Sequence, residues 1–120
     1  MNSVPNNYVE DCPVTATMEL IGGKWKLLIL NLIRNDINRF GKMSMILKDI
    51  SKQMLTTQLR ELENDGIIKR KIYAEIPPRV EYFLTAKGHT LEPIIRMMAD
   101  WGNEYLIKPK LASKVEQLVD

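Results

Sequence analysis

The hydrophobic period of this chain changes at Asp65-Gly66, and that change limits the folds open to it. Before it, apolar residues recur at helical spacing. After it come two short runs of β-branched and aromatic residues, split by Pro77-Pro78-Arg79, which a helix cannot accommodate. An isolated two-stranded hairpin is marginal in water, so this one must pack on the helices that precede it.

Residues 1–11 read as a loose polar arm. Cys12-Pro13 resembles a helix start, because proline suits the first helical position. Val14, Thr17, Met18 and Ile21 then share one face, and Gly22-Gly23 stops the helix. A second helix is expected over about 24–35. Trp25, Leu28, Ile29 and Leu32 set its i, i+3, i+4, i+7 stripe, and Leu27, Leu30 and Ile33 make it apolar on most sides. A third is expected over about 42–49, with Met43, Ile46, Leu47 and Ile50 on one face. Ser51 reads as the N-cap of a fourth, 52–64, whose inward stripe is Leu55, Leu59 and Leu62 and whose end is Asp65-Gly66. Strands are expected over 67–76 and 80–84. A last helical region follows over 85–107, where Pro93 marks a kink or a start. The tail after Pro109 adds a short helix through Leu111, Val115 and Leu118.

This order describes a mainly α chain with a small β-hairpin. Helices three and four, joined tightly at Ser51, make a helix-turn-helix, and the hairpin supplies its wing. A length of 120 residues fits one domain, here 12–107, between the arm and a 108–120 tail. No run of about 18 apolar residues suggests a membrane span. The polar, acidic start does not resemble a secretory signal, so a cytoplasmic location is expected. The single cysteine, Cys12, cannot form an internal disulfide.

Net charge is only +2, but it is unevenly spread. Residues 39–79 hold nine Lys or Arg against five acids, a local +4, and the remainder carries −2. A basic central segment suits docking to a polyanion, although a solvated surface with chance asymmetry would look the same. On the fourth helix, with Leu55 inward, Gln53, Thr56, Thr57 and Arg60 fall on the opposite side, beside Lys52. Arg can pair with guanine, Gln with adenine, and Thr with phosphate or a thymine methyl. Glu61 and Glu63 lie on the flanks. In the wing, alternation puts Lys69 and Lys71 on one strand face and Arg70 on the other. Pro77-Pro78 stiffens the turn that presents Arg79, a residue suited to a narrow minor groove. The expected DNA contacts are therefore Lys52, Gln53, Thr56, Thr57, Arg60, Lys69, Lys71 and Arg79. The competing readings are an ordinary solvated helix face and a charged edge that blocks strand aggregation.

Several runs closely resemble the HxlR family of winged-helix regulators. They are Arg39-Phe40, Ile50-Ser51-Lys52-Gln53-Met54-Leu55-Thr56, Gln58-Leu59-Arg60-Glu61-Leu62-Glu63 and Asp65-Gly66-Ile67-Ile68. Further on come Pro77-Pro78-Arg79-Val80-Glu81-Tyr82, Leu84-Thr85 and Lys87-Gly88. Cys12-Pro13-Val14, Gly22-Gly23-Lys24-Trp25 and Trp101-Gly102 match as well, so the resemblance covers about 12–105. Gly41-Lys42-Met43-Ser44-Met45 departs from it, since relatives usually carry a more polar helix start there. The resemblance implies a dimeric transcription regulator that binds inverted-repeat operators, with the terminal helices forming the dimer contact. It also implies that a cysteine at the place of Cys12 senses oxidants or electrophiles in some members.

The residues themselves bear on both points. The last helix carries two apolar lines: Leu91, Ile95 and Met98, and then Ile94, Met97, Trp101 and Tyr105. One core needs one line, so Ile94, Met97, Trp101 and Tyr105 are expected at a homodimer interface with Met18 and Ile21 of the first helix. Burial within the monomer is the alternative. Cys12 sits at an expected helix N-terminus, where the dipole favours thiolate, but Glu10 and Asp11 oppose it. It is a redox-sensing candidate or a small residue packed at the dimer contact.

The function expected is a sequence-specific transcription regulator, a repressor. Its partners would be double-stranded DNA, a second copy of the chain, and a small oxidant or electrophile, with no membrane. A protein-interaction module or anti-repressor of the same fold, without DNA contact, is the alternative. No catalytic residue, metal ligand or cofactor is expected. His89 is the sole histidine, and no ligand-spaced partner accompanies it.

Overall fold

Residues 8–119 are described by a computed structural model. Of the expected arm, 1–7 lie outside the described residues and Tyr8–Asp11 makes one helical turn, α1. α2 spans Pro13–Ile21, α3 Lys26–Arg34, α4 Phe40–Leu47 and α5 Lys52–Asn64. The hairpin strands are β1, Ile68–Tyr73, and β2, Arg79–Leu84. α6 covers Ala86–His89 and α7 Glu92–Gly102. A π-helical turn, Asn103–Ile107, leads into α8, Lys108–Val119. The winged helix-turn-helix architecture stands as the sequence suggested.

The boundaries show which local signals prevail. Gly23, at φ +88, separates α2 from α3. The buried line of α3 is Lys26, Ile29, Leu30 and Ile33, one step round from the expected stripe, so Leu28 is 45% exposed. α4 begins two residues earlier than expected, because Phe40 packs against the core from its first turn. Lys48, at φ +45, ends it. β1 stops at Tyr73 rather than at Ile76. The two prolines have no N–H to give the ladder, and the fully exposed Ile76 has nothing to pack on. The strands pair antiparallel from Ile68–Leu84 to Tyr73–Arg79. The backbone N–H of Tyr82 also donates to the carbonyl of Asn38, tying β2 to the α3–α4 connection.

The core is assembled from α2 to α5, the hairpin and α7. Ile29, Leu30 and Ile33 of α3 meet Met43 of α4, Leu55, Leu59 and Leu62 of α5, and Ile67, Ile68, Tyr82 and Leu84 around the hairpin. Ile21 and Ile95 close it from the two terminal segments. Ile21, expected at the dimer contact beside Met18, is only 2% exposed in the single chain. It is a core residue, and that expectation is corrected.

A tight joint connects the end of α5 to the start of the last helical region. Gly66, at φ +75, turns the chain after α5. Thr85 donates its hydroxyl to the Gly66 carbonyl at 2.6 Å and its backbone N–H to the Ile67 carbonyl at 3.0 Å. Lys87 Nζ reaches the Asp65 carbonyl at 3.0 Å. Gly88 is needed here because a Cβ would stand 2.1 Å from the Ile67 carbonyl oxygen. Gly88→Ala is therefore expected to destabilise the domain by about 1–3 kcal/mol, read as a lower urea midpoint. An unchanged midpoint would show that the joint has slack.

Pro93 marks the start of α7 and does not kink it. The tail expected as a separate short helix is instead continuous with α7. Gly102, Asn103 and Lys108 keep right-handed helical dihedrals through the π turn. The wider turn lies just ahead of Pro109, whose ring conflicts with regular α hydrogen bonding one turn back. From Asn103 to Leu118 every side chain is exposed, in a molecule measuring 55 × 51 × 24 Å.

Candidate nucleic-acid interface

Ser51 sets the phase of α5. Its backbone is extended, and its Oγ accepts the Met54 N–H at 2.9 Å. From that cap, Leu55, Leu59 and Leu62 enter the core at 0%, 1% and 0% exposure. The opposite side must then face solvent. Lys52, Gln53, Thr57 and Arg60 are exposed there, and Thr56 is half-buried at the edge. The Thr56 and Thr57 hydroxyls donate to the carbonyls of Lys52 and Gln53, at 2.8 and 3.0 Å. Their methyl groups and oxygen lone pairs stay available to a ligand.

The wing is arranged differently from its sequence reading. Arg79 does not project from the turn. It opens β2, and its side chain is 32% exposed. Its guanidinium lies 3.3 Å from Glu75 and 3.9 Å from Glu81 and is stacked over the Tyr73 ring at 3.9 Å. Strand pairing sets Arg79 directly opposite Tyr73, which draws the cation inward. Its Nε is buried with no hydrogen-bond partner. Glu81 also meets Arg39 Nε, at 3.3 Å. Burial pushes the Glu81 carboxyl upward, but hydrogen bonds from Tyr73 and Arg39 and the charges of Arg79 and Arg39 outweigh it. The carboxyl is held below its ordinary range.

Lys69 and Lys71 do share a face, as alternation requires, but not the face next to α5. They line a groove with Arg34, Phe83, His89 and Glu92. Arg70, on the other face, reaches Glu63 of α5 at 3.7 Å. Hydrogen bonding from His89 lowers the Glu92 carboxyl from its ordinary value, opposed by burial and helped by nearby cations. The structure thus groups Lys52, Gln53, Thr57 and Arg60 on one surface, keeps Arg79 folded into the wing, and puts Lys69 and Lys71 behind the hairpin. Lys26, Arg39 and Arg70 hold acids in this region and were not singled out from sequence. Arg39 entered only the basic count and a family-resembling run, and Arg70 was placed on the strand face opposite Lys69 and Lys71, but neither was given a partner acid.

The remaining expected positions lie on the terminal helices. Met18 is 53% exposed, Ile94 44%, Met97 72%, Trp101 59% and Tyr105 63%. The Trp101 and Tyr105 rings lie 5.3 Å apart. Cys12 is half-buried and forms the N-cap of α2, with an extended backbone. Among the described residues no cluster of His, Cys, Asp and Glu could hold a metal ion, and no helix is long and apolar enough to cross a membrane.

A family model described as HxlR-like helix-turn-helix matches residues 20–110. The chain belongs to the HxlR family. Relatives in this family are transcriptional regulators rather than enzymes. YdeP of Bacillus subtilis (strain 168), named as an uncharacterized HTH-type transcriptional regulator, is 45% identical over 113 residues, covering 92% of this chain and 88% of YdeP. Among solved structures, the redox regulator HypR in its oxidized form is 48% identical with a TM-score of 0.72, over 78% of this chain and 96% of HypR. The reduced form of the transcriptional regulator YodB from B. subtilis is 32% identical with a TM-score of 0.66, over 79% of this chain and 94% of YodB. The HxlR match takes in α3 to α7, and so both α5 and the hairpin.

Proposed function

We propose that this HxlR-family chain is a cytoplasmic, sequence-specific DNA-binding repressor that acts as a homodimer on an inverted repeat, and that oxidation of Cys12 changes its affinity for DNA. The observation that carries the DNA reading is the solvent-facing row Lys52, Gln53, Thr57 and Arg60 on a helix whose reverse side is all core. A helix held that way can enter a major groove only by that row. The alternative, a protein-interaction module without DNA contact, leaves those hydrogen-bonding side chains without a role.

Of the first apolar line Ile95 is buried, Leu91 packs against the core and Met98 stays 51% exposed; dimerisation is supported by the second line, which is exposed throughout. Two copies would cover it and set two reading helices about 34 Å apart, one turn of duplex. The Cys12 reading is supported by its place at the N-terminus of α2 and by two relatives, the redox regulator HypR and the transcriptional regulator YodB, whose structures include a reduced and a diamide-treated form. In the simplest chemistry, Cys12 of each subunit gives up a proton and an electron to an oxidant such as diamide. An S–S bond forms between subunits and the oxidant is reduced to its hydrazine.

One experiment tests these parts together. Wild-type protein selects duplexes from a random-sequence pool, and the enriched duplex is titrated with and without diamide. Enrichment of a two-fold symmetric sequence is expected, with an affinity that changes on oxidation in wild type and stays constant in Cys12→Ser. No enrichment would remove the DNA reading. An equal response in Cys12→Ser would remove Cys12 from the sensing role.

A further inference from the structure

Lys26 is the only charged side chain buried among the described residues. It occupies the core-facing line of α3, and its Nζ lies 2.8 Å from Glu61 Oε1 on α5. The pair is lopsided, with the lysine side chain 10% exposed and the glutamate 47%. The cation has been given to the interior while the carboxylate stays at the surface. Placing an ammonium there is expensive, and such pairs rarely add stability over an apolar substitute. A reason other than stability is therefore worth finding.

The position of Glu61 supplies one. At 100° per residue, Glu61 lies about 70° round the helix from the centre of the outward row formed by Gln53, Thr57 and Arg60. A bare carboxylate there would stand beside the phosphates of any duplex docked on α5 and would repel them. The other flanking acid of α5, Glu63, has its own cation in Arg70, at 3.7 Å.

Resting on the DNA-binding reading above, we propose that Lys26 is a positioning residue for DNA recognition. From the core side it neutralises Glu61 and holds its carboxylate against α3, so that the reading surface meets the duplex without a negative flank. Lys26 touches no DNA itself and acts only through Glu61.

The test uses the full chain and the duplex selected by the wild type. Lys26→Met keeps the apolar stem and removes the charge. Its unfolding midpoint is expected to stay level or rise. Its affinity for the duplex is expected to fall about fivefold at about 50 mM salt, a deficit that shrinks towards about 200 mM as the exposed carboxylate is screened. Adding Glu61→Gln restores wild-type affinity. Glu61→Gln alone leaves the buried ammonium without its counter-charge. It lowers the midpoint while binding the duplex at least as tightly as wild type. Stability and affinity thus move in opposite directions in the two single variants. A merely structural pair would weaken binding in step with stability at either salt. That pattern, or wild-type affinity in Lys26→Met at low salt, overturns the proposal. If Lys26→Met does not fold, Glu61→Gln decides alone, and weaker binding refutes the role. Wild-type protein that selects no duplex overturns the DNA reading and this proposal with it.

Discussion

Arg60→Ala is expected to weaken binding to a selected duplex by roughly 10- to 100-fold, the range for losing one bidentate base contact worth about 1–3 kcal/mol. Arg60 is exposed, forms no ion pair among the described residues, and sits in the middle of the outward row. Its guanidinium can therefore turn to a base edge without leaving a partner. Arg79→Ala should cost less. Its guanidinium must first leave Glu75, Glu81 and the Tyr73 ring, so much of its gain on the duplex is offset. Combined, the two changes should bring specific binding down to the level seen for unrelated duplexes. Sedimentation should show the same oligomer as wild type, since neither residue lies on the terminal helices. Wild-type affinity in the double variant would show that α5 and the wing are not the contact surface.

The second large effect concerns assembly. Trp101→Lys places a charge on the exposed apolar line of α7, next to Met97 and Tyr105. If two copies meet along that line, a buried unpaired ammonium would cost several kcal/mol, enough to split a dimer at micromolar concentration. The winged core should still unfold in one cooperative step, now with a midpoint independent of protein concentration, because Trp101 lies outside that core and only the subunit linkage is lost. Affinity for a two-site duplex should then fall by about 100-fold or more, since each domain must bind without the effective concentration its twin provides. A variant that still sediments as a dimer would place the subunit contact elsewhere.

How much of this could be read from sequence depends on whether a signal is local. Ser51, Leu55, Leu59, Leu62 and Gly66 specify a capped helix by themselves, and the structure places all five accordingly. The apolar line through Ile94, Met97 and Trp101 was equally legible, because its surplus over one core is a matter of counting faces. The misreadings came where the partner is remote in the chain. Ile21 was placed at a subunit contact with Met18, as the companion of the surplus apolar line of the last helix, and its membership of the core depends on residues far along the chain. Arg79 looked poised because Pro77-Pro78 precedes it. That Tyr73 and Glu81 would draw it in depends on strand register. Lys69 and Lys71 were paired correctly by alternation, which cannot say which face of a hairpin meets α5. Lys26 gave no signal at all, since a lysine opening a helix ordinarily points to water.

The joint at Gly88 has a mechanical meaning. Four hydrogen bonds from Thr85 and Lys87 fasten the turn after α5, at Asp65, Gly66 and Ile67, to the start of α6, and no room is left there even for a methyl group. If two copies pair along α7 as proposed, a rotation between them would pass through α6 to this stiff joint and tilt α5, so that a change at the subunit contact would alter the direction in which Arg60 points.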